Sequence, residues 1–522
     1  MDESENLQKR KVQFDMNELA KTAAAAVGAQ CTSITKYPDG MFNKAFLLSM
    51  DNGQEVVAKV PNPNAGVPHF TTASEVATMD FVWTSQAASL RLADMMEFRR
   101  VLDTPIPHVH TWNSQAQSHP VGAEFIIMDK ATGVPLSQTW DALNLSQKLQ
   151  VLLVMTRLQK QWLRVSFSHY GSLYYAGDVQ SPKGNHYIKD GKIVMNSEFA
   201  IGPATGRDWM DAGRSALRIQ KGPWASAAQY LHAVRMRETA ALQSLKPPKQ
   251  LVMFCGPKLY QPDTEKKLTS LAWYQQIIDV LLPKDTIITS PYLWHNDLHE
   301  NNIFINPQDP GEITAIIDWQ ACHISPLFNH NPTPAFIAWE DGPEPETLDL
   351  APKPDLSKLS QEEVQRALHE YTVQNMFIGW HKLMHSKNPD MYQVVEFQRT
   401  AEYGLIFLAH RTFEYGEAHF QSLLVELKDE WADGHDVPFP IELSEADIRR
   451  IGLNGDHAVG GTDLLTAIKK AMGELWPDKG LIAHEQYDEC RSALHGMKAQ
   501  LIEQLAETDE DRAEYERWWP ID

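Results

Sequence analysis

Residues 293–305 read LWHNDLHENNIFI and place His295, Asp297, His299 and Asn302 within eight positions. Apolar NIFI predicts a short strand, NPQDPGE a turn, and ITAIIDW a second strand closing on an acid, Asp318. In such a hairpin the start of one strand neighbours the end of the other, so the Asn302 amide oxygen and the Asp318 carboxylate converge. Oxygen ligands of that kind suit Mg²⁺, which keeps a few protein oxygens and takes the rest from water and substrate phosphates. Asp297 lies five residues before Asn302 on a loop facing the same point, where it can take a proton from an attacking hydroxyl. The chemistry that needs these groups is phosphoryl transfer.

That chemistry requires elements upstream. The spacing is H-x-D-x-x-x-x-N followed by a strand-terminal Asp, the pattern of protein-kinase-like enzymes. It calls for a lysine on the third strand of an amino-terminal sheet and a helix glutamate to orient it. TSITKY, KAFLLSM and EVVAKV predict an antiparallel meander turning at Pro38-Asp39-Gly40 and Asp51-Asn52-Gly53. The third of these strands carries Lys59. A helical pattern from Thr71 to about Leu102 carries Glu75, and Pro105 and Pro107 then break it. AEFIIMDKATG supplies a further buried strand ending at a glycine turn.

HNDLHENNIFI...AIIDW resembles the aminoglycoside phosphotransferase and choline kinase branch, which carries H-G-D-L-H-x-x-N and I-D-W, more than the protein kinases. Gly40, Asn43 and Phe46 reproduce that branch's G-x-x-N-x-x-[FY] phosphate loop, although the single glycine is a weak signal. GMFNKAF, VAKVPNP, FIIMDKATGVPLSQTW, GSLYY, IGPATGRDW and GPWASAAQYL extend the likeness to a fungal group related to altered inheritance of mitochondria protein 9, over about residues 35–325. Asn296 and Asn301 depart from the glycines common in the branch. The resemblance implies an α+β, bilobal, protein kinase-like fold, with an antiparallel β-sheet N-lobe and a large, mainly helical C-lobe. It implies ATP with Mg²⁺ as cofactors and a small-molecule hydroxyl as acceptor. Lys59 and Glu75 would hold the phosphates, Met128 the adenine at a hinge, Asn302 and Asp318 the metal, and His295 would brace the loop of Asp297.

The expected organisation is a tail over 1–20, an N-lobe over 21–130, and a C-lobe core over 131–340 with an insertion at about 175–265. Helices fill 341–522 after a proline-rich, acidic connection. Within the insertion, HYIKDGKIVM predicts a hairpin turning at Asp190-Gly191. A formal charge of −21 repels nucleic acid and anionic lipid. No apolar run is long enough to span a bilayer. Four scattered cysteines predict neither a disulfide framework nor a zinc knuckle. The acidic amino-terminal stretch points to the cytoplasm, whereas the resemblance implies mitochondria. Two other readings explain fewer residues. One is a catalytically silent nucleotide-binding module. The other is a zinc hydrolase using His295, Asp297 and His299, completed by His323 and His330, which leaves Lys59, Glu75 and Asp318 without a role.

Overall fold

The β-branched runs of the amino-terminal third form one antiparallel sheet in a computed structural model, which describes residues 10–83, 101–180, 182–195, 197–337, 339, 345, 347–434, 438–477, 482 and 484–521. Its strands are β1 (Cys31–Lys36), β2 (Asn43–Met50), β3 (Glu55–Pro61), β4 (Val109–Asn113) and β5 (Phe125–Asp129), in the order β1-β2-β3-β5-β4. Helix α1 (Met16–Val27) starts at Asp15, whose carboxylate accepts the N–H groups of Asn17 and Glu18. Its Leu19 and Ala23 cover the sheet face made by Phe46, Leu48, Val56, Ala58 and Val60. The expected boundary between residues 20 and 21 therefore falls inside a helix that belongs to the N-lobe.

Helix α2 (Phe70–Val82) has 11 of its 13 residues buried, which explains why its apolar residues show no single stripe. Phe81 packs against Phe167, Tyr187 and Phe199 at 5.5, 5.4 and 5.3 Å between ring centres. The helix stops where Trp83 turns to extended backbone; the rest of the expected helical run toward Leu102 falls on residues 84–100, which lie outside the described set.

Beyond β5 the chain turns at Gly133, whose φ of 87° suits glycine; a Cβ there would overlap the Ile305 carbonyl oxygen. Helix α3 (Leu145–Trp162) opens with a capping box between Asn144 and Gln147 and contributes Trp162 to the main core. The region expected as an insertion holds short hairpins, and Asp190-Gly191, with φ of 48° and 75°, makes the predicted two-residue turn. Helices Gln361–Lys387 and Pro389–Gln398 add Trp380, Met384 and Met391 to the main core, while other helices build further cores, one around Trp209, Tyr230, Tyr274 and Phe420, another joining Phe254 to Leu465, Cys490 and Tyr515. The result is an α+β fold in which an antiparallel amino-terminal sheet precedes a larger, mainly helical part. Among the described residues, no helix is long and apolar enough to cross a membrane.

Candidate active site

Two short antiparallel pairs frame the opening motif. Pro291–Trp294 pairs with His323–Pro326, and Ile303–Asn306 pairs with Asp309–Ile316. Ile303 faces Ile316, and the Ile317 N–H donates to the Asn302 carbonyl at 2.9 Å, so Asn302 and the segment of Asp318 are neighbours. The second strand ends at Ile316, two residues before the expected end at Asp318. Asp318 instead has φ +61°, a conformation that L-residues adopt at a cost and that concentrates at working sites.

Asp318 thereby meets the sheet. Lys59 Nζ donates to Glu75 Oε1 at 2.6 Å and to Asp318 Oδ1 at 2.7 Å. Burial by itself would lower the Lys59 pKa, but the carboxylates of Asp318 and Glu75 outweigh it and hold the ammonium above its ordinary value. Asp318 is likewise desolvated, which would raise it, yet Lys59 holds its carboxyl below the usual range. Burial pushes Glu75 upward, only partly offset by Lys59. One ammonium facing two carboxylates leaves negative charge in excess, an environment that favours a cation.

The loop between the strand pairs is held by its own backbone. His295 is 1% exposed; its Nε2 donates to the Ile317 carbonyl at 2.9 Å, and its Nδ1 accepts the Asp297 N–H at 3.3 Å. Burial lowers its pKa, so the ring is neutral and braces the loop. Trp162, Trp294 and Trp319 stack edge-on beneath it. The Asn302 amide nitrogen donates to the Asp297 carbonyl at 2.9 Å, leaving Oδ1 as a candidate ligand atom. The Asp297 carboxylate is open to the cleft, 68% exposed. With both ring nitrogens of His295 engaged, and His330 Nε2 bonded to the Tyr292 carbonyl at 2.9 Å, the zinc-hydrolase set does not assemble. Among the described residues, no group of three possible ligands includes any of its members.

The expected phosphate loop is tied to the same centre by a residue the sequence reading did not single out. Asn43 Nδ2 donates to Gln320 Oε1 at 2.5 Å, and Gln320 Nε2 donates to the Ala65 carbonyl at 3.0 Å. Arg207 adds a second tie, its guanidinium 3.7 Å from the centre of the Phe42 ring. Gly40 donates its N–H to the Asn43 carbonyl at 3.2 Å, and its backbone does not demand glycine. Met128 stands half-buried on β5 between Val57 and Val109, two register positions from Ile126, the partner of Lys59.

A cavity of about 500 Å³ opens beside the loop, lined among others by Asn296, His323, Asp208, His410, Arg411 and Glu414. Its wall is a buried ion network. Arg237 donates to Asp208 at 2.6 Å and to Glu238 at 3.0 Å, and Arg214 donates to Glu414 at 2.8 Å. Burial would raise Asp208, but Arg237 outweighs it and holds the carboxyl at about 2. His410 Nδ1 lies 2.8 Å from the Ile406 carbonyl, so it carries the proton, and burial lowers this histidine to about 4. The remaining nitrogens of His410 and His323 are buried acceptors without partners among the described residues.

The sequence profile described as "Phosphotransferase enzyme family" (APH) matches residues 224–329, which include Asp297, Asn302 and Asp318. The chain is 29% identical over 354 residues to a subtelomeric hrmA-associated cluster protein of Aspergillus fumigatus, an alignment spanning 62% of this chain and 64% of that protein. It is 22% identical over 462 residues to altered inheritance of mitochondria protein 9, mitochondrial, of Saccharomyces cerevisiae, covering 81% of this chain and 69% of that one. Among solved structures, ADP-bound aminoglycoside phosphotransferase APH(2'')-Ib aligns with a TM-score of 0.34 and 12% identity, over 86% of this chain and 99% of that one. The chain is thus similar to the phosphotransferase enzyme family through the segment that holds Asp297, Asn302 and Asp318, and to fungal proteins named as mitochondrial over a longer span.

Proposed function

We propose that the protein transfers the γ-phosphoryl group of ATP to a hydroxyl group of a small molecule. The observation that carries this reading is the meeting of Lys59, Glu75 and Asp318, which lie on three separate parts of the chain, beside the loop of Asp297 and Asn302. Lys59 would bind the α- and β-phosphates, with Glu75 keeping its ammonium aimed. The carboxylate of Asp318 and Oδ1 of Asn302 are oxygen donors that fit Mg²⁺, which when bound neutralises charge on the phosphates. Asp297 would orient the acceptor hydroxyl and accept its proton as the oxygen attacks phosphorus. His295 keeps the loop's shape and moves no proton, because both its nitrogens are bound to backbone.

The cavity beside Asn296 would receive the acceptor. The buried nitrogens of His323 and His410 favour a ligand that offers O–H or N–H donors. A mitochondrial location is carried over from the names of relatives alone, and cell fractionation tests it. The activity is tested by ATP consumption against a panel of hydroxyl-bearing metabolites, with thermal melts run alongside. Mg²⁺ and ATP together should raise the Tm, because a ligand selective for the native state stabilises it. Nucleotide binding with no acceptor in an exhaustive panel would leave a silent binding module. No thermal shift would remove the proposal.

A further inference from the structure

At the opposite edge of the sheet from β1, β4 pairs only with β5. His108 precedes it and His110 lies two residues on, where a register irregularity between Val109 and Thr111 interrupts the ladder to β5. Asp129 closes β5 alongside, its N–H donating to the His108 carbonyl at 2.9 Å. One ligand atom from each of His108, His110 and Asp129 lies within 4.8 Å of the other two. His110 Nε2 and Asp129 Oδ1 are 2.7 Å apart, and the two imidazoles meet edge to face with 4.9 Å between centres. Trp83 backs the His108 ring at 5.2 Å. No other such group of three His, Cys, Asp or Glu exists among the described residues.

We infer that His108, His110 and Asp129 bind a zinc-class divalent transition metal, which links edge strand β4 to β5. Two imidazole nitrogens and one carboxylate are the donors that zinc takes in sites with three protein ligands and a solvent position. They disfavour Mg²⁺ and Ca²⁺, which select oxygen. Metal bonds of about 2.1 Å in a tetrahedron set donor atoms roughly 3.3 Å apart. The group reaches that by opening the His110–Asp129 contact slightly and closing the longer separations by about 1.5 Å at most, within the range of a side-chain rotation. His108 is accessible to solvent, so an entry path and a water ligand are at hand. The site is separate from Asn302 and Asp318 in both residues and donor chemistry. Since Asp129 directly follows Met128, the metal would also stiffen the strand end where adenine is proposed to sit.

The test uses the full, tag-free chain and Zn²⁺ itself. Metal content after dialysis, calorimetry with Zn²⁺, and the visible spectrum with Co²⁺ as a probe are measured on the wild type, His108→Ala, His110→Ala, Asp129→Asn and Asp318→Ala. The expected result is one zinc per chain and a Co²⁺ spectrum of low coordination number in the wild type. Each histidine variant should bind zinc roughly 100-fold more weakly or worse, beyond the loss typical of outer-shell changes. Asp318→Ala should keep full zinc affinity. Circular dichroism and the Mg²⁺–ATP thermal shift establish that the histidine variants are folded. Equal zinc uptake by the wild type and His108→Ala/His110→Ala, or loss of zinc in Asp318→Ala instead, would overturn the assignment.

Discussion

Replacing Lys59 by methionine keeps the reach of the side chain and removes its charge. Two bonds vanish, to Glu75 at 2.6 Å and to Asp318 at 2.7 Å, but the acids left behind differ. The Glu75 side chain is 2% exposed and the Asp318 side chain 36%, so Asp318 can take up water and Glu75 cannot. Removing one partner of a buried ion pair costs about 3–5 kcal/mol, because the charge that remains has no compensation. Nearly all of that loss should arise at Glu75. Its carboxyl is already pushed upward by burial, and without Lys59 only burial and the Asp318 charge remain, both acting upward. A carboxyl whose folded pKa lies above its unfolded value binds more protons when folded, so the variant gains stability as pH falls through that folded value. The deficit of Lys59→Met should therefore shrink as pH falls from neutral toward the ordinary carboxylate range. Lys59→Met/Glu75→Gln should recover most of the loss at the higher pH and lose this pH dependence, while still failing to bind ATP. Urea denaturation followed by circular dichroism at several pH values measures all three. Equal stability of Lys59→Met and the wild type at high pH, or a double variant no better than the single one, would refute the argued coupling.

Asp297→Asn should leave ATP affinity by calorimetry unchanged and lower phosphoryl transfer by ~10²- to 10⁴-fold, since a general base acts mainly in the transition state. Asp318→Ala should abolish the thermal shift given by Mg²⁺ with ATP, and Asn302→Ala should weaken it; an unchanged shift in both would place the metal elsewhere. Gln320→Ala unties Asn43 from the segment after Asp318 and should raise the KM for ATP with little change in the melting temperature. His295→Ala should cost about 1–3 kcal/mol of stability, because it strands the Ile317 carbonyl and the Asp297 N–H, and it should lower kcat without moving the pH profile.

The residues legible in the sequence were those whose partners are local or set by strand order. Asn302 and Asp318 belong to one hairpin, and Lys59 sits where a third strand had to end, so spacing alone could bring them into the reading. Gln320 and Arg207 escaped it for a different reason. Their contacts reach Asn43 and Phe42 across more than 160 positions of chain, and a glutamine or arginine on a turn carries no periodic signal. The cavity wall was hidden in the same way, since Asp208, Arg237 and Glu414 form one network only after three distant helical segments pack. Helix α2 was recognised through Glu75 and its neighbours, but a helix buried all round shows no stripe whose end marks its own, so its stop at Val82 could not be read from the pattern. Asp318 was expected within a strand, and the apolar run ITAIIDW gives no sign that the backbone turns left-handed after Ile317.

The burial of α2 bears on how the proposed activity could be controlled. In protein kinases the equivalent helix is a movable part, and displacing its glutamate turns catalysis off. Here the sheet lies against one side of the helix and the hairpins carrying Phe167, Tyr187 and Phe199 against another. Pulling Glu75 away from Lys59 would uncover Val76, Met79, Phe81 and Val82, at roughly 1.5–3 kcal/mol each. That total exceeds the 1–3 kcal/mol or so by which one effector site typically biases another. The helix is therefore a fixed beam rather than a lever. For the proposed phosphotransfer, flux should then follow the supply of substrates and the amount of the chain rather than displacement of this helix.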